Sequence, residues 1–147
     1  DKTDIFCVFN DLAGTCSTKH AALRKLALEN GFPEIKLILG IFEMDAEYAK
    51  SIENTLKNHH LLFIPEAHNY LKYGDEYFDY TKPNSTYKEF EKKLLQEIEI
   101  EYDQISDIKI QLHQEFLSNW LINNKSTYSI DEIWKIREQC IKDLEKN

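Results

Sequence analysis

One cysteine stands where a helix is expected to begin. The residues after Cys16 repeat at helical spacing until an Asn-Gly pair at 30–31, so we expect a helix over residues 15–29. In its first turn, the positive end of the peptide dipoles favours a thiolate and lowers the thiol pKa. Cys16 is therefore a candidate nucleophile, although a free cysteine is more often a small apolar residue of the core.

A histidine and an aspartate further along the chain could complete a site. Residues 68–81 are expected to form a hairpin with a type II′ turn at Gly74-Asp75. Its register places His68 and Asp79 on one face, about 7 to 8 Å apart at the backbone. We expect an imidazole nitrogen to carboxylate oxygen distance of about 2.6 to 3.2 Å. A one-residue bulge would put the two side chains on opposite faces.

Nucleophilic catalysis needs a nucleophile, a base and a group that orients the base. The Cys16 thiolate would attack a carbonyl, and His68 would hold the thiolate and later protonate the leaving amine. Asp79 would fix the tautomer of the imidazole. This requires the Cys16 sulphur within about 4 Å of the second imidazole nitrogen.

At these residues the sequence resembles the transglutaminase-like domain of the papain-fold cysteine enzymes. The matching motifs are Gly14-Thr15-Cys16-Ser17, Glu66-Ala67-His68-Asn69-Tyr70 and Phe78-Asp79-Tyr80-Thr81, in the order of that group. The resemblance covers residues 5 to 82. It implies a Cys16-His68-Asp79 triad and acyl chemistry, as amide or peptide hydrolysis or as acyl transfer to an amine. Asn69-Tyr70 follows the histidine here, where the group commonly has alanine and tryptophan. The hairpin that leads to Asp79 is also shorter than is usual in the group.

Two further features belong to such a site. The backbone N–H of Cys16 can donate one hydrogen bond to an oxyanion, and Asn10 is the candidate second donor of the oxyanion hole, although Asn10-Asp11 is equally an ordinary turn. Tyr70 and Tyr48 are candidates for an apolar wall of the substrate site, although such residues more often serve packing.

Other readings remain open. Cys16 and His20 are spaced i, i+4 and could bind zinc together with one further histidine, namely His59, His60 or His68. Neither of the common zinc motifs, C-x-x-C and H-E-x-x-H, occurs in the sequence. We therefore expect neither a metal nor a cofactor. His20 is expected at the surface or behind the site, and His113 has no assigned role. The alternative function is a catalytically silent transglutaminase-like binding or scaffold protein.

The fold expected from these patterns is α+β. A papain/transglutaminase-like core (1–82), with the nucleophile helix packed on a small antiparallel sheet, precedes a helical C-terminal extension (83–147) in a single domain (1–147). Residues 5–9 read as a buried strand or short helix. Strands are expected at 35–44, at 61–64 before Pro65 and from 67; helices at 45–58, 87–101, 105–123 and 129–146. Ile108, Leu112, Phe116 and Trp120 would face the core.

Composition limits the partners. With 26 acidic against 18 basic residues, the chain has a formal charge of −8, which disfavours nucleic acid and anionic membranes and favours neutral or cationic peptide-like or small amide substrates. No apolar run reaches the roughly 18 to 20 residues of a membrane span. Cys7, Cys16 and Cys140 are typical of reduced cytoplasmic thiols, although a removed leader stays open because the chain starts at Asp1. A protein partner could bind through the extension.

Overall fold

In the part of the chain that the structure describes, the first helix begins at Cys16. The computed structural model describes residues 4–6 and 14–146. Helix α1 is Cys16–Glu29, and Thr15 caps it: the Thr18 N–H donates to the Thr15 hydroxyl, while the Thr18 hydroxyl accepts the Thr15 N–H at 2.9 Å. This reciprocal capping satisfies two backbone donors that the helix itself cannot pair. Cys16 is thus the first residue of the helix, as predicted.

The described residues contain one four-stranded antiparallel sheet. Its strands are β1 (Ile35–Asp45), β2 (Phe63–Tyr73), β3 (Glu76–Phe78) and β4 (Leu94–Ile100), in the order β3-β2-β1-β4. The other helices are α2 (Glu53–Asn58), α3 (Asp107–Asn123) and α4 (Ile130–Glu145), with 3-10 turns at Lys50–Ile52, Tyr87–Glu89 and Glu91–Lys93. The fold is therefore α+β, as expected.

The β2–β3 hairpin has the predicted register but is shorter than expected. Gly74 has φ 61°, and Tyr73 pairs with Glu76, as a two-residue type II′ turn allows. Strand β3 ends at Phe78, so the predicted strand pairing of residues 68–70 with 79–81 does not form. The part of β2 that precedes Leu71 is consequently not paired with β3, and Ser17 of α1 bonds there to Asn69.

Two elements differ from the prediction before the hairpin. Strand β1 pairs with β2 as far as Asp45, so the helix expected over residues 45–58 begins later. It is replaced by the 3-10 turn at Lys50–Ile52 and the short helix α2. Strand β2 runs through Pro65 as one strand where two were predicted. Proline is tolerated there because β3 pairs no residue before Leu71, so the missing N–H faces an edge with no strand.

The helix predicted over residues 87–101 is wrong. Two 3-10 turns lead into β4, which pairs with β1 along its second edge. In β4 Glu97 and Glu99 are exposed while Ile100 is buried, which is the alternation of a strand. The unpaired backbone groups of β1 need hydrogen-bond partners, and β4 supplies them. The segment after residue 82 is therefore neither purely helical nor separate from the sheet.

The last two helices lie close to their predicted bounds. Ser129 caps α4 through the predicted capping box with Glu132. The buried residues of α3 are His113, Leu117 and Leu121, one position later than the predicted stripe. Apolar residues surround much of this helix, so spacing alone could not select the face that packs.

The sheet carries apolar clusters on both faces. The α1 face holds the cluster of Ala21, Leu37, Leu39, Ile41, Ala67, Leu71, Ile100 and Ile105. The opposite face packs against α3 and α4 through Ile38, Phe42, Met44, Ile64, Tyr70, Leu117, Leu121, Ile133, Ile136 and Cys140. In the part of the chain covered by the structure, no helix combines the length and apolarity needed to span a bilayer.

Candidate active site

The predicted contact between His68 and Asp79 is present. His68 Nε2 donates to Asp79 Oδ2 at 2.8 Å, within the predicted range. Asp79 lies just after β3 rather than on it, and Thr81 fixes its other oxygen through N–H and O–H donors at 2.9 and 2.5 Å. Both side chains are largely buried, with 13% and 3% of their surfaces exposed. The carboxylate therefore holds the imidazole in one orientation.

Cys16 lies beside His68 at the free edge of β2. Its half-buried side chain belongs to the helix that packs on the opposite face from His68, and the next residue, Ser17, donates to Asn69 Oδ1 at 2.9 Å, which brings the two segments together. The distance of about 4 Å or less between the Cys16 sulphur and the second imidazole nitrogen stays a prediction. Burial raises the pKa of the Cys16 thiol, but the positive charges of Lys109 and then of His68 bring it well below its ordinary value.

The charges of the three groups support one another. Burial lowers the pKa of His68, but the Cys16 thiolate and the Asp79 carboxylate outweigh it and raise the value to about 9. Burial raises the pKa of Asp79, but the hydrogen bond and charge of His68, with the Thr81 donors, lower it to about 2. At neutral pH the geometry thus favours thiolate, imidazolium and carboxylate together.

His20 is a buried support that the sequence did not assign clearly. Its Nε2 accepts the Tyr80 N–H at 2.9 Å, so its Nδ1 carries the proton and donates to the Cys16 carbonyl oxygen at 2.7 Å. Burial lowers its pKa, which keeps the ring neutral. The sequence predicts His20 either at the surface or behind the site, and the surface position is wrong because the side chain is fully buried. His20 ties the start of α1 to the turn that follows Asp79.

Aromatic rings enclose His68. Phe90 meets the imidazole edge-on at 5.1 Å between ring centroids, and Phe42 does so at 6.4 Å. Tyr48 packs on Phe42 and is half-buried, and burial together with nearby negative charges raises its pKa to about 12. Tyr48 therefore presents a neutral phenol near the site and stays a candidate for the substrate wall.

Tyr70 does not reach the surface. Its side chain is fully buried on the core side of His68, packed against Phe90, Tyr77 and Tyr87. The prediction that it forms a wall in contact with substrate is therefore wrong for this structure. Tyr70 supports the imidazole from within the core.

Other predicted residues fall outside the site or outside the described residues. Asn10 and Cys7 are not among the residues that the structure describes. Cys140 is a free thiol buried in α4, where burial and nearby carboxylates raise its pKa to about 11. His113 is buried and bonded to the Pro65 carbonyl. Within residues 4–6 and 14–146, no group of three His, Cys, Asp or Glu side chains is placed to bind a metal ion.

Comparison of the chain with protein-family models, curated proteins and solved structures finds no match to any of the three. The geometry of the residues themselves therefore carries the functional interpretation.

Proposed function

We propose that the chain is a transglutaminase-like thiol hydrolase or acyltransferase of the papain-fold superfamily. The observation that carries this proposal is the placement of a helix-start thiol beside an imidazole whose second nitrogen is held by a buried carboxylate at 2.8 Å. Cysteine nucleophiles are activated by such a neighbouring base and by a helix N-terminus. The order of helix, histidine strand and following aspartate is the order expected from the resemblance and supports it.

In the first half of the reaction, the Cys16 thiolate attacks the carbonyl carbon of an amide. A carbon–sulphur bond forms, and the carbonyl π electrons move to oxygen. As the tetrahedral intermediate collapses, the carbon–nitrogen bond breaks and the leaving nitrogen takes the proton of the His68 imidazolium. An amine leaves, and the acyl group remains on Cys16 as a thioester.

In the second half, water or another amine attacks the thioester while neutral His68 removes its proton. The carbon–sulphur bond then breaks, which releases an acid or a new amide and restores the thiolate and the imidazolium. Asp79 keeps the Nε2 proton in place throughout and is an orienting group. The N–H of Cys16 lies in the first turn, where the helix supplies no acceptor, so it is free to donate to the oxyanion.

The surroundings support a charge preference. The net charge of −8 should repel strongly anionic substrates over roughly 8 to 10 Å and admit neutral or cationic amides. Tyr48 is half-buried, lies on the His68 side of the sheet and could pack against the acyl side chain, while the buried Phe42 ring supports it from the core. The proposed substrate class is therefore a neutral or basic peptide-like amide.

A panel of amides, esters and amine acceptors tests the proposal. We expect turnover of at least one neutral or basic amide by the wild type, and loss of that turnover in Cys16→Ala and His68→Ala. Cys140→Ala is the matched control, because it removes a buried thiol and should retain activity. A panel that stays silent, together with equal retention of a protein partner by wild type and Cys16→Ala, would replace the enzyme with the scaffold alternative.

A further inference from the structure

A lysine from α3 connects the two segments that carry Cys16 and His68. The Lys109 ammonium donates to Ser17 Oγ at 2.7 Å and to Asn69 Oδ1 at 2.8 Å. Ser17 follows Cys16 in the sequence, and Asn69 follows His68. The Ser17 hydroxyl donates to the same Asn69 oxygen at 2.9 Å, which closes a triangle of three hydrogen bonds.

Two members of this triangle are buried, and Lys109 is half-buried. Ser17 is 7% exposed and Asn69 is fully buried, while the Asn69 side-chain nitrogen donates to the Ile38 carbonyl at 3.1 Å. The side-chain oxygen of Asn69 therefore accepts two hydrogen bonds and its nitrogen donates one. Buried polar groups with hydrogen-bond partners hold one geometry, so the ammonium has a defined place.

A single hydroxyl group, that of Ser17, links the Lys109 ammonium to the Cys16 sulphur. Ser17 Oγ, which accepts from Lys109, lies 3.9 Å from Cys16 Sγ. An ammonium has three donors, and Ser17 and Asn69 use two of them. Burial raises the pKa of Cys16, and the charge of Lys109 is the strongest of the influences that lower it, ahead of His68.

We propose that Lys109 is a positioning residue of the active site, which holds Cys16 as a thiolate by its fixed positive charge and ties α1 to β2 through Ser17 and Asn69. The proposal rests on the proposed function for the role of that thiolate in catalysis. The imidazolium loses its proton during turnover, whereas the lysine keeps its charge. The segment after residue 82 is then part of the site, because its first helix supplies this charge.

The test is the pH dependence of Cys16 alkylation by iodoacetamide in the full chain. Fragmentation of the tryptic peptide that contains both Cys7 and Cys16 separates the two thiols. Lys109→Met removes the charge, Lys109→Arg keeps it, and Lys135→Met removes an exposed lysine of α4 as the matched control. Thermal melting checks folding, and Lys109→Gln replaces the methionine variant if that variant does not fold.

We expect Lys109→Met to raise the apparent pKa of Cys16 by about one unit or more, as loss of a neighbouring opposite charge does. Lys109→Arg should keep most of the lowering, and Lys135→Met should change nothing. An unchanged pKa in Lys109→Met, or an equal rise in the arginine or the Lys135 variant, overturns the role of the charge. A wild-type pKa of about 8.5, the ordinary thiol value, would instead remove the thiolate on which the proposed function depends.

Discussion

Replacement of Asp79 by asparagine should reverse the hydrogen bond to His68. Oδ1 of Asp79 accepts from the N–H and the hydroxyl of Thr81, and Oδ2 accepts from His68 Nε2. The Thr81 N–H can only donate, so the oxygen of the new carboxamide should stay on the Thr81 side. Its NH₂ group would then face His68 Nε2, and two facing donors disfavour the imidazolium.

The pKa of His68 gives the size of the effect. Burial opposes the charged ring, yet the Cys16 thiolate and Asp79 raise the pKa from 6.5 to about 9. That rise corresponds to about 3 kcal/mol in favour of the imidazolium. Asp79 is one of the two partners, so its loss should lower the pKa of His68 by about one unit or more. The wrong tautomer should reduce kcat/KM by about 100-fold to 10,000-fold.

Two measurements check this prediction. NMR titration of the His68 ring reports its pKa directly, with the signal assigned by its absence in His68→Ala. In the wild type, kcat/KM for a panel substrate should fall with an apparent pKa of about 9, because the imidazolium loses its proton as the pH rises. In the variant, the same fall should occur at lower pH. Asp75→Asn, in the exposed hairpin turn, is the control for charge. A His68 pKa that is the same in wild type and Asp79→Asn would show that Asp79 does not stabilise the imidazolium.

Two substitutions test the support of the site. Gly40→Ala should destabilise the fold by about 1 to 3 kcal/mol, because a Cβ there would lie 2.6 Å from the Tyr70 ring. Urea unfolding measures this loss of stability. Tyr70→Phe added to Gly40→Ala should recover part of it. Arg137→Met should cost about 3 kcal/mol or more, because the buried Glu66 loses the two hydrogen bonds from Arg137 at 2.8 and 3.1 Å and keeps the one from the Ala67 N–H. Urea unfolding measures this loss as well, and Glu66→Gln added to Arg137→Met should restore stability. If Arg137→Met unfolds at the same urea concentration as the wild type, the Arg137–Glu66 pair is not a structural requirement.

Local signals predicted the parts of the site that depend on neighbours in sequence. Thr15 and Thr18 lie three residues apart and cap α1, which places Cys16 in its first turn. Gly74 takes the positive φ that the hairpin turn requires, and the turn fixes the register of β2 and β3. The sequence alone is therefore sufficient to pair His68 with Asp79.

Long-range packing determines the structural features that the sequence alone does not predict. Residues 94–100 satisfy both a helical and an alternating pattern, and the open edge of β1 selects the strand. Lys109 bonds to Ser17 across 92 positions of the chain, and no local pattern connects them. The approach of Cys16 to His68 depends on the hydrogen bond between Ser17 and Asn69, which is likewise a property of the folded chain.

The pH dependence of Cys16 alkylation in the wild-type chain reports the activation of the thiol without any substrate. We expect the thiolate to form at a pH well below the ordinary thiol value of about 8.5, since Lys109 and His68 together lower the pKa of Cys16. We also expect His68→Ala to move this transition to higher pH. A wild-type transition near about 8.5, unchanged in His68→Ala, would contradict the claim that these residues form an activated thiol site.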